Sequence, residues 1–194
     1  MNTPLPSLFC WTRFGTEAGE PIERILERKE AERVAGGGLF FWGIGNSVAP
    51  GIAELVRRCE LPELLFSPIK SAPRPADVSP GAVARWTAGA DLDGGRFELP
   101  TGARVTSRYD SISRPHYALV CFSPEPLAFA ELGRLSFGSL RNLASGNPLG
   151  ASQVTAVVSL ADGPASGAEY AVVLRVRLAA PYFLRLRDPV LVGD

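Results

Sequence analysis

The amino-acid sequence predicts an α+β fold, in which a curved mixed sheet or partly open β-barrel carries two or three packed helices. The 194 residues include 20 glycines and 17 prolines, which interrupt the chain about every five residues and favour short strands joined by turns. About eight segments have the apolar or alternating pattern of strands, and two have the periodicity of amphipathic helices. Strands and helices do not alternate throughout the chain, so a doubly wound sheet is not expected.

The N-terminal part of the chain predicts three strands and two helices. Residues 7–14, 38–42 and 63–67 have the composition of strands. The first helix follows Pro21 and stops at the three glycines of 36–38. Its predicted buried stripe consists of Ile22, Ile25, Leu26 and Val34. The second helix has Pro50 in its first turn, a cap from Asn46 or Ser47, and an apolar face of Ile52, Leu55, Val56 and Cys59.

The C-terminal part predicts further short strands and a hairpin. Residues 71–80 are proline-rich and predict a stiff, extended excursion. Strands are expected at 96–99, 103–108 and 116–122, and a short helix at 137–145. The chain then predicts a β-hairpin of residues 168–178 and 182–187 with a turn near Ala180 and Pro181. Apolar and arginine positions alternate in it, so one face carries Arg175, Arg177, Arg185 and Arg187.

Charge and cysteine content narrow the class of protein. Twenty basic and 20 acidic residues give zero formal charge, which argues against sequence-blind binding of nucleic acid but leaves room for a local basic patch. The three cysteines, Cys10, Cys59 and Cys121, lie far apart and favour a reducing compartment. No signal peptide and no apolar run of membrane-spanning length is recognised, so we expect a cytoplasmic protein without a membrane partner.

The most informative segment is the turn after the second strand. Trp42 lies at the carboxyl end of that strand, beside Asn46 and Ser47. Gly43 and Gly45 suggest a dinucleotide fingerprint, but its third glycine would fall at position 48, which is valine. An aromatic wall beside small polar groups instead predicts a pocket for a flat, polar ligand, with a plain capping turn as the alternative.

Other polar residues are candidates for the same binding site or for a second site. The strand at 63–67 leads into Ser67, Lys70, Ser71 and Arg74, which are either phosphate ligands or a solvated loop. His116 with Asp110 and a nearby serine or Cys121 can be drawn as a hydrolytic site, but His116 lies at the start of a strand, where structural histidines are common, and the structural explanation is favoured. One histidine and three scattered cysteines predict no metal site.

The segment 39–74 resembles the PUA-like superfamily, in particular its EVE and YTH branches. The resemblance covers about 40 of the 194 residues and rests on Trp42, Asn46 and the strand Leu64, Leu65, Phe66 and Ser67. It implies a PUA-like domain that holds a modified base of RNA or DNA in an aromatic pocket. On this basis residues 1–194 are expected to form a single PUA-like domain with a C-terminal β-hairpin extension.

The sequence thus favours a non-enzymatic nucleic-acid-binding module that recognises a modified or flipped base, with no cofactor. Trp42 is expected to stack on the base, with Trp86 added as a second wall, and Asn46 and Ser47 to contact its polar edge. The remaining predicted ligand-binding residues are Ser67, Lys70, Ser71, Arg74 and Arg108. Two alternatives stay open: a hydrolase or transferase that acts on a nucleotide-like metabolite with His116 as its base, and a structural or partner-binding domain.

Overall fold

The α+β prediction is confirmed by the computed structural model, which has a large mixed β-sheet and two α-helices. The structure describes residues 4–15, 21–69, 82–100, 115–162 and 166–193. The predicted strand 103–108 and the predicted excursion 71–80 lie outside the described residues. So do Lys70, Ser71, Arg74, Arg108 and Asp110.

Two helices and eleven strands make up the described part of the chain. The helices are α1 (Ile22–Ala35) and α2 (Ala49–Arg58). The first six strands are β1 (Leu8–Phe14), β2 (Leu39–Ile44), β3 (Glu63–Pro68), β4 (Ala82–Ala90), β5 (Arg96–Glu98) and β6 (His116–Phe122). The other five are β7 (Gly133–Ser136), β8 (Leu140–Asn142), β9 (Thr155–Leu160), β10 (Glu169–Val172) and β11 (Leu174–Gly193).

The chain divides into two units, each assembled from separate segments. Unit 1 takes Met1–Phe14, Ser47–Ile69 and Ala128–Arg177, and unit 2 takes Gly15–Asn46, Lys70–Leu127 and Leu178–Asp194. Strand β11 contributes residues to both units. In neither unit do the described strands close into a barrel. The single-domain prediction stays a prediction.

Unit 1 is a mixed sheet with α2 packed on it. Strand β1 runs parallel to β3 and antiparallel to β9, which in turn pairs with β8. The first residues of β11 pair with β3, and β10 and β7 form a separate two-stranded sheet. The core includes Phe9, Trp11 and Leu65, which are buried with neighbours from β8 and β9. Helix α2 buries Ile52 and Leu55, as its apolar pattern predicted.

Unit 2 is built on antiparallel pairs. Strand β2 pairs with β6, β6 lies beside β11, and the end of β11 pairs with β4, which pairs with β5. Phe41, Trp86, Val120 and Leu184 are buried together in its core. The predicted glycine stop after α1 is confirmed. At Gly38, φ is +102° and a Cβ atom would lie 2.6 Å from the Phe122 ring, so only glycine fits there.

Two helix details differ from the predictions. Val34, assigned to the buried stripe of α1, is 65% exposed, and Lys29 and Glu32 are buried instead. Neither Asn46 nor Ser47 caps α2, because both lie in a 3₁₀ turn (Asn46–Val48) that runs directly into the helix.

Two C-terminal predictions were also wrong. The predicted helix at 137–145 is a 3₁₀ turn over Phe137–Ser139 followed by β8. The predicted hairpin is absent from the described residues, because β11 continues through Pro181. Its first residues form hydrogen bonds with β3 and its last residues with β4. The two halves of the predicted hairpin therefore pair with other strands and not with each other. Pro181 and Tyr182, which has φ of +68°, lie between the residues that pair with β3 and those that pair with β4.

Candidate functional site

The end of β2 in unit 2 presents an aromatic ring followed by exposed polar groups. Phe40 and Phe41 are buried, whereas Trp42 is only half-buried, and alternation along the strand directs Phe41 and Trp42 to opposite faces. Gly43, Gly45 and Asn46 then lie exposed in sequence. The Asn46 side chain makes no hydrogen bond with any residue that the structure describes, so its amide is open to a ligand.

A buried ion pair on α1 fixes the backbone from which Trp42 projects. The Lys29 ammonium donates hydrogen bonds to both carboxylate oxygens of Glu32, at 2.9 and 2.8 Å. It also donates to the carbonyl oxygen of Phe41, while the Phe41 N–H donates to Glu32 at 3.3 Å. The Lys29 and Glu32 side chains therefore form hydrogen bonds with both the carbonyl oxygen and the N–H of Phe41. A neighbouring strand would satisfy the same two groups, so α1 substitutes for that strand along this part of β2.

Burial and the neighbouring carboxylate have opposite effects on the Lys29 ammonium. Burial is the largest influence on the Lys29 pKa and lowers it, and the Glu32 carboxylate opposes this effect. Arg28 lies 3.8 Å from Glu32 and adds a second positive charge on the same side of the helix. A buried carboxylate therefore holds two cations, and the fixed backbone of Phe41 leads directly into Trp42.

Ser67, predicted as a ligand-binding residue, serves a structural role in unit 1. It is fully buried, and its hydroxyl accepts a hydrogen bond of 2.9 Å from the indole N–H of Trp11. Because the Trp11 ring is itself fully buried, this bond satisfies the only polar atom of that side chain. Ser47 is exposed and makes no side-chain hydrogen bond with the other described residues.

Unit 1 also holds an arginine that the sequence did not single out. The Arg13 guanidinium lies 5.8 Å from the ring centroid of Trp11 and 5.4 Å from that of Tyr170. It donates to the Tyr170 hydroxyl at 3.0 Å and to the Ala151 carbonyl at 3.1 Å. No carboxylate of the described residues pairs with it. The spacing of Trp11 and Arg13, two positions apart on a strand, was the sequence signal for this contact.

Trp86 does not present a second aromatic wall in this structure. Its side chain is 2% exposed in the unit 2 core, and its ring centroid lies 4.8 Å from that of His116. His116 is thus held against a core tryptophan, as the structural alternative for that residue anticipated. Cys121, the nucleophile considered with it, is fully buried.

The described residues contain neither a metal-binding cluster nor a membrane-spanning helix. Among them, no group of three histidine, cysteine or acidic side chains is arranged to hold a metal ion. None of the helices described is both long and apolar enough to cross a membrane.

Comparison with known proteins leaves the family of this chain open. No protein-family model, no curated protein and no solved structure matches it. The PUA-like resemblance of segment 39–74 is therefore a proposal that rests only on the residues of that segment.

Proposed function

We propose that this protein is a non-enzymatic nucleic-acid-binding module that accepts a modified or flipped base at the end of β2, on a PUA-like plan. The observation that carries the proposal is the half-buried Trp42 with the exposed Asn46 amide four residues further on. An aromatic face supplies stacking, and an amide supplies one donor and one acceptor group for the edge of a base.

The local backbone suits the recognition of a rigid, planar ligand. Phe41 is held by the Lys29–Glu32 pair and by its antiparallel partner Val120, so the residue next to it has little freedom to move. A pre-positioned aromatic ring loses less entropy when a ligand binds than a mobile one does. The glycines at 43 and 45 have no side chains, which allows the ligand to approach the backbone closely.

The base must leave its stack before it can reach the indole. A single-stranded or already unpaired base does so at the smallest cost, and the proposed ligand is therefore single-stranded RNA or DNA. The hydrogen bonds of Asn46 would discriminate between bases, because a wrong base leaves a polar group unpaired.

The test compares binding of single-stranded oligonucleotides with and without one modified base, followed by fluorescence anisotropy. Trp42→Ala is expected to weaken binding by about 1–3 kcal/mol, which is roughly five- to 150-fold, and Trp42→Phe by less. Asn46→Ala is expected to reduce the ratio of affinities for the modified and unmodified oligonucleotides. The matched control is Phe129→Ala, which removes an exposed aromatic ring elsewhere in the chain.

Two results would overturn the proposal. One is equal binding by the wild type and the Trp42→Ala protein. The other is no binding by the wild type to any RNA or DNA oligonucleotide in a panel of modified bases.

A further inference from the structure

Two arginines on the unit 2 part of β11 have no carboxylate partner among the residues described. Arg185 and Arg187 are exposed and two residues apart, so their side chains project from the same face of the strand. Neither forms an ion pair with a described residue, although Asp188 follows directly in the sequence. Arg175 of the same strand differs, since it makes hydrogen bonds of 2.8 and 2.7 Å to the two carboxylate oxygens of Glu63.

The neighbouring strands extend this face with two alanines and one ion pair. Arg185 is opposite Ala90 of β4 and Arg187 is opposite Ala88, so the β4 partners of the two arginines are small. The same register places Arg96 and Glu98 of β5 next in line, where they form an exposed ion pair of 3.1 Å. We call Arg185, Arg187 and Arg96 the arginine face.

We infer that the arginine face binds the sugar–phosphate backbone of a single-stranded nucleic acid. This inference rests on the proposed function and specifies how the same ligand is held outside the base site. A guanidinium matches a phosphate in shape and can donate two hydrogen bonds to it. Arg185 and Arg187 have no salt bridge to a described residue that binding would break, whereas Arg175 would have to leave Glu63. Because the protein has no net charge, such binding requires a local cluster of this kind.

Salt dependence tests the inference independently of base recognition. For a single strand, the slope of log K against log salt concentration changes by about 0.7 for each phosphate contact. Arg185→Gln and Arg187→Gln are each expected to reduce the magnitude of the slope by about 0.7, and the double variant by about 1.4. At 0.1 M salt each contact then accounts for about a fivefold loss of affinity, equal for modified and unmodified oligonucleotides.

The control variant is Arg24→Gln, which removes the same charge from an exposed position on α1 of unit 2. Arg24 is 72% exposed and pairs only with Glu27 of the same helix among the residues described, so its loss should leave the slope unchanged. Thermal melting checks that all variants are folded.

The outcomes separate the inference from the function on which it rests. If base discrimination depends on Trp42 but the double arginine variant keeps the wild-type slope, the inference is wrong and the proposed function stands. If the slope falls as expected while Trp42→Ala has no effect, the arginine face is supported and the base site is wrong. A slope that Arg24→Gln reduces equally, or a wild type that binds no oligonucleotide, overturns the inference.

Discussion

Breaking the Lys29–Glu32 pair should destabilise the protein unequally, depending on which partner is removed. Lys29→Met leaves the Glu32 carboxylate with Arg28 at 3.8 Å and with the Phe41 N–H at 3.3 Å. Removal of one partner from a buried ion pair costs about 3–5 kcal/mol, and the remaining cation should keep this variant near 3 kcal/mol. Glu32→Leu leaves two cations without their carboxylate and the Phe41 N–H without its acceptor, so we expect at least about 5 kcal/mol.

The double variant Lys29→Met/Glu32→Leu should be less destabilised than the two single effects together imply. It removes the buried charges of the pair and leaves the two backbone groups of Phe41 unsatisfied, at about 1–3 kcal/mol each, while Arg28 also loses Glu32. The expected loss is about 4 kcal/mol, which corresponds to a coupling energy of about 4 kcal/mol between the two side chains.

Urea unfolding gives the free energies, and amide hydrogen exchange at Phe41 reports the local effect. Exchange at this amide should accelerate in Glu32→Leu more than in Lys29→Met, because only the first variant removes its acceptor. Glu27→Leu is the matched control: it breaks an ion pair with Arg24 that has the same three-residue spacing on α1 but is exposed. That pair should contribute less than about 1 kcal/mol. Equal losses from the two buried-pair variants, or a coupling energy below about 1 kcal/mol, would refute the argument.

Two further predictions concern unit 1. Burial raises the pKa of the Cys10 thiol from 9.0 to about 12, so its contribution to stability is complete below pH 9 and declines as the pH rises towards 12. Between pH 8 and pH 10 the wild type should lose about 1.4 kcal/mol more stability than Cys10→Ala, and parallel urea titrations that show no difference would contradict this. Gly51→Ala should destabilise α2, because the new Cβ atom would lie 2.9 Å from the Val157 Cβ and overpacking costs about 1–3 kcal/mol. Gly150→Ala, which has open space at that position, should show no such decrease in melting temperature.

Much of the local structure was predictable because it depends on short-range patterns. The apolar segment of β3 and the boundaries of β6 were predicted from the sequence, since each strand is largely buried and flanked by residues that end strands. The three glycines after α1 likewise fixed the end of that helix, because Gly38 has a backbone conformation and a close approach to Phe122 that exclude other residues.

What escaped prediction depends on partners that are distant in the sequence. Lys29 and Glu32 resemble solvated helix residues, and their burial follows only from the contact with Phe41 on the next strand. Ser67 was predicted as a ligand-binding residue because its hydrogen bond with Trp11 joins residues 56 positions apart, and no nearby sequence pattern indicates such a contact. Trp42 is half-buried and Asn46 is exposed, a pattern that strand alternation and the glycine turn set locally.

The shared strand β11 has a consequence for how the protein matures on the ribosome. Leu174–Arg177 complete a ladder with β3 in unit 1, and later residues of the same strand complete the ladder with β4 in unit 2. Strand β1 must likewise wait for β9, since Leu8 pairs with Ser159. Neither unit can therefore reach its final hydrogen bonding before β11 has been synthesised. Until then apolar strands of the nascent chain lack part of their final partners, and the two units should complete their folding together after β11 emerges.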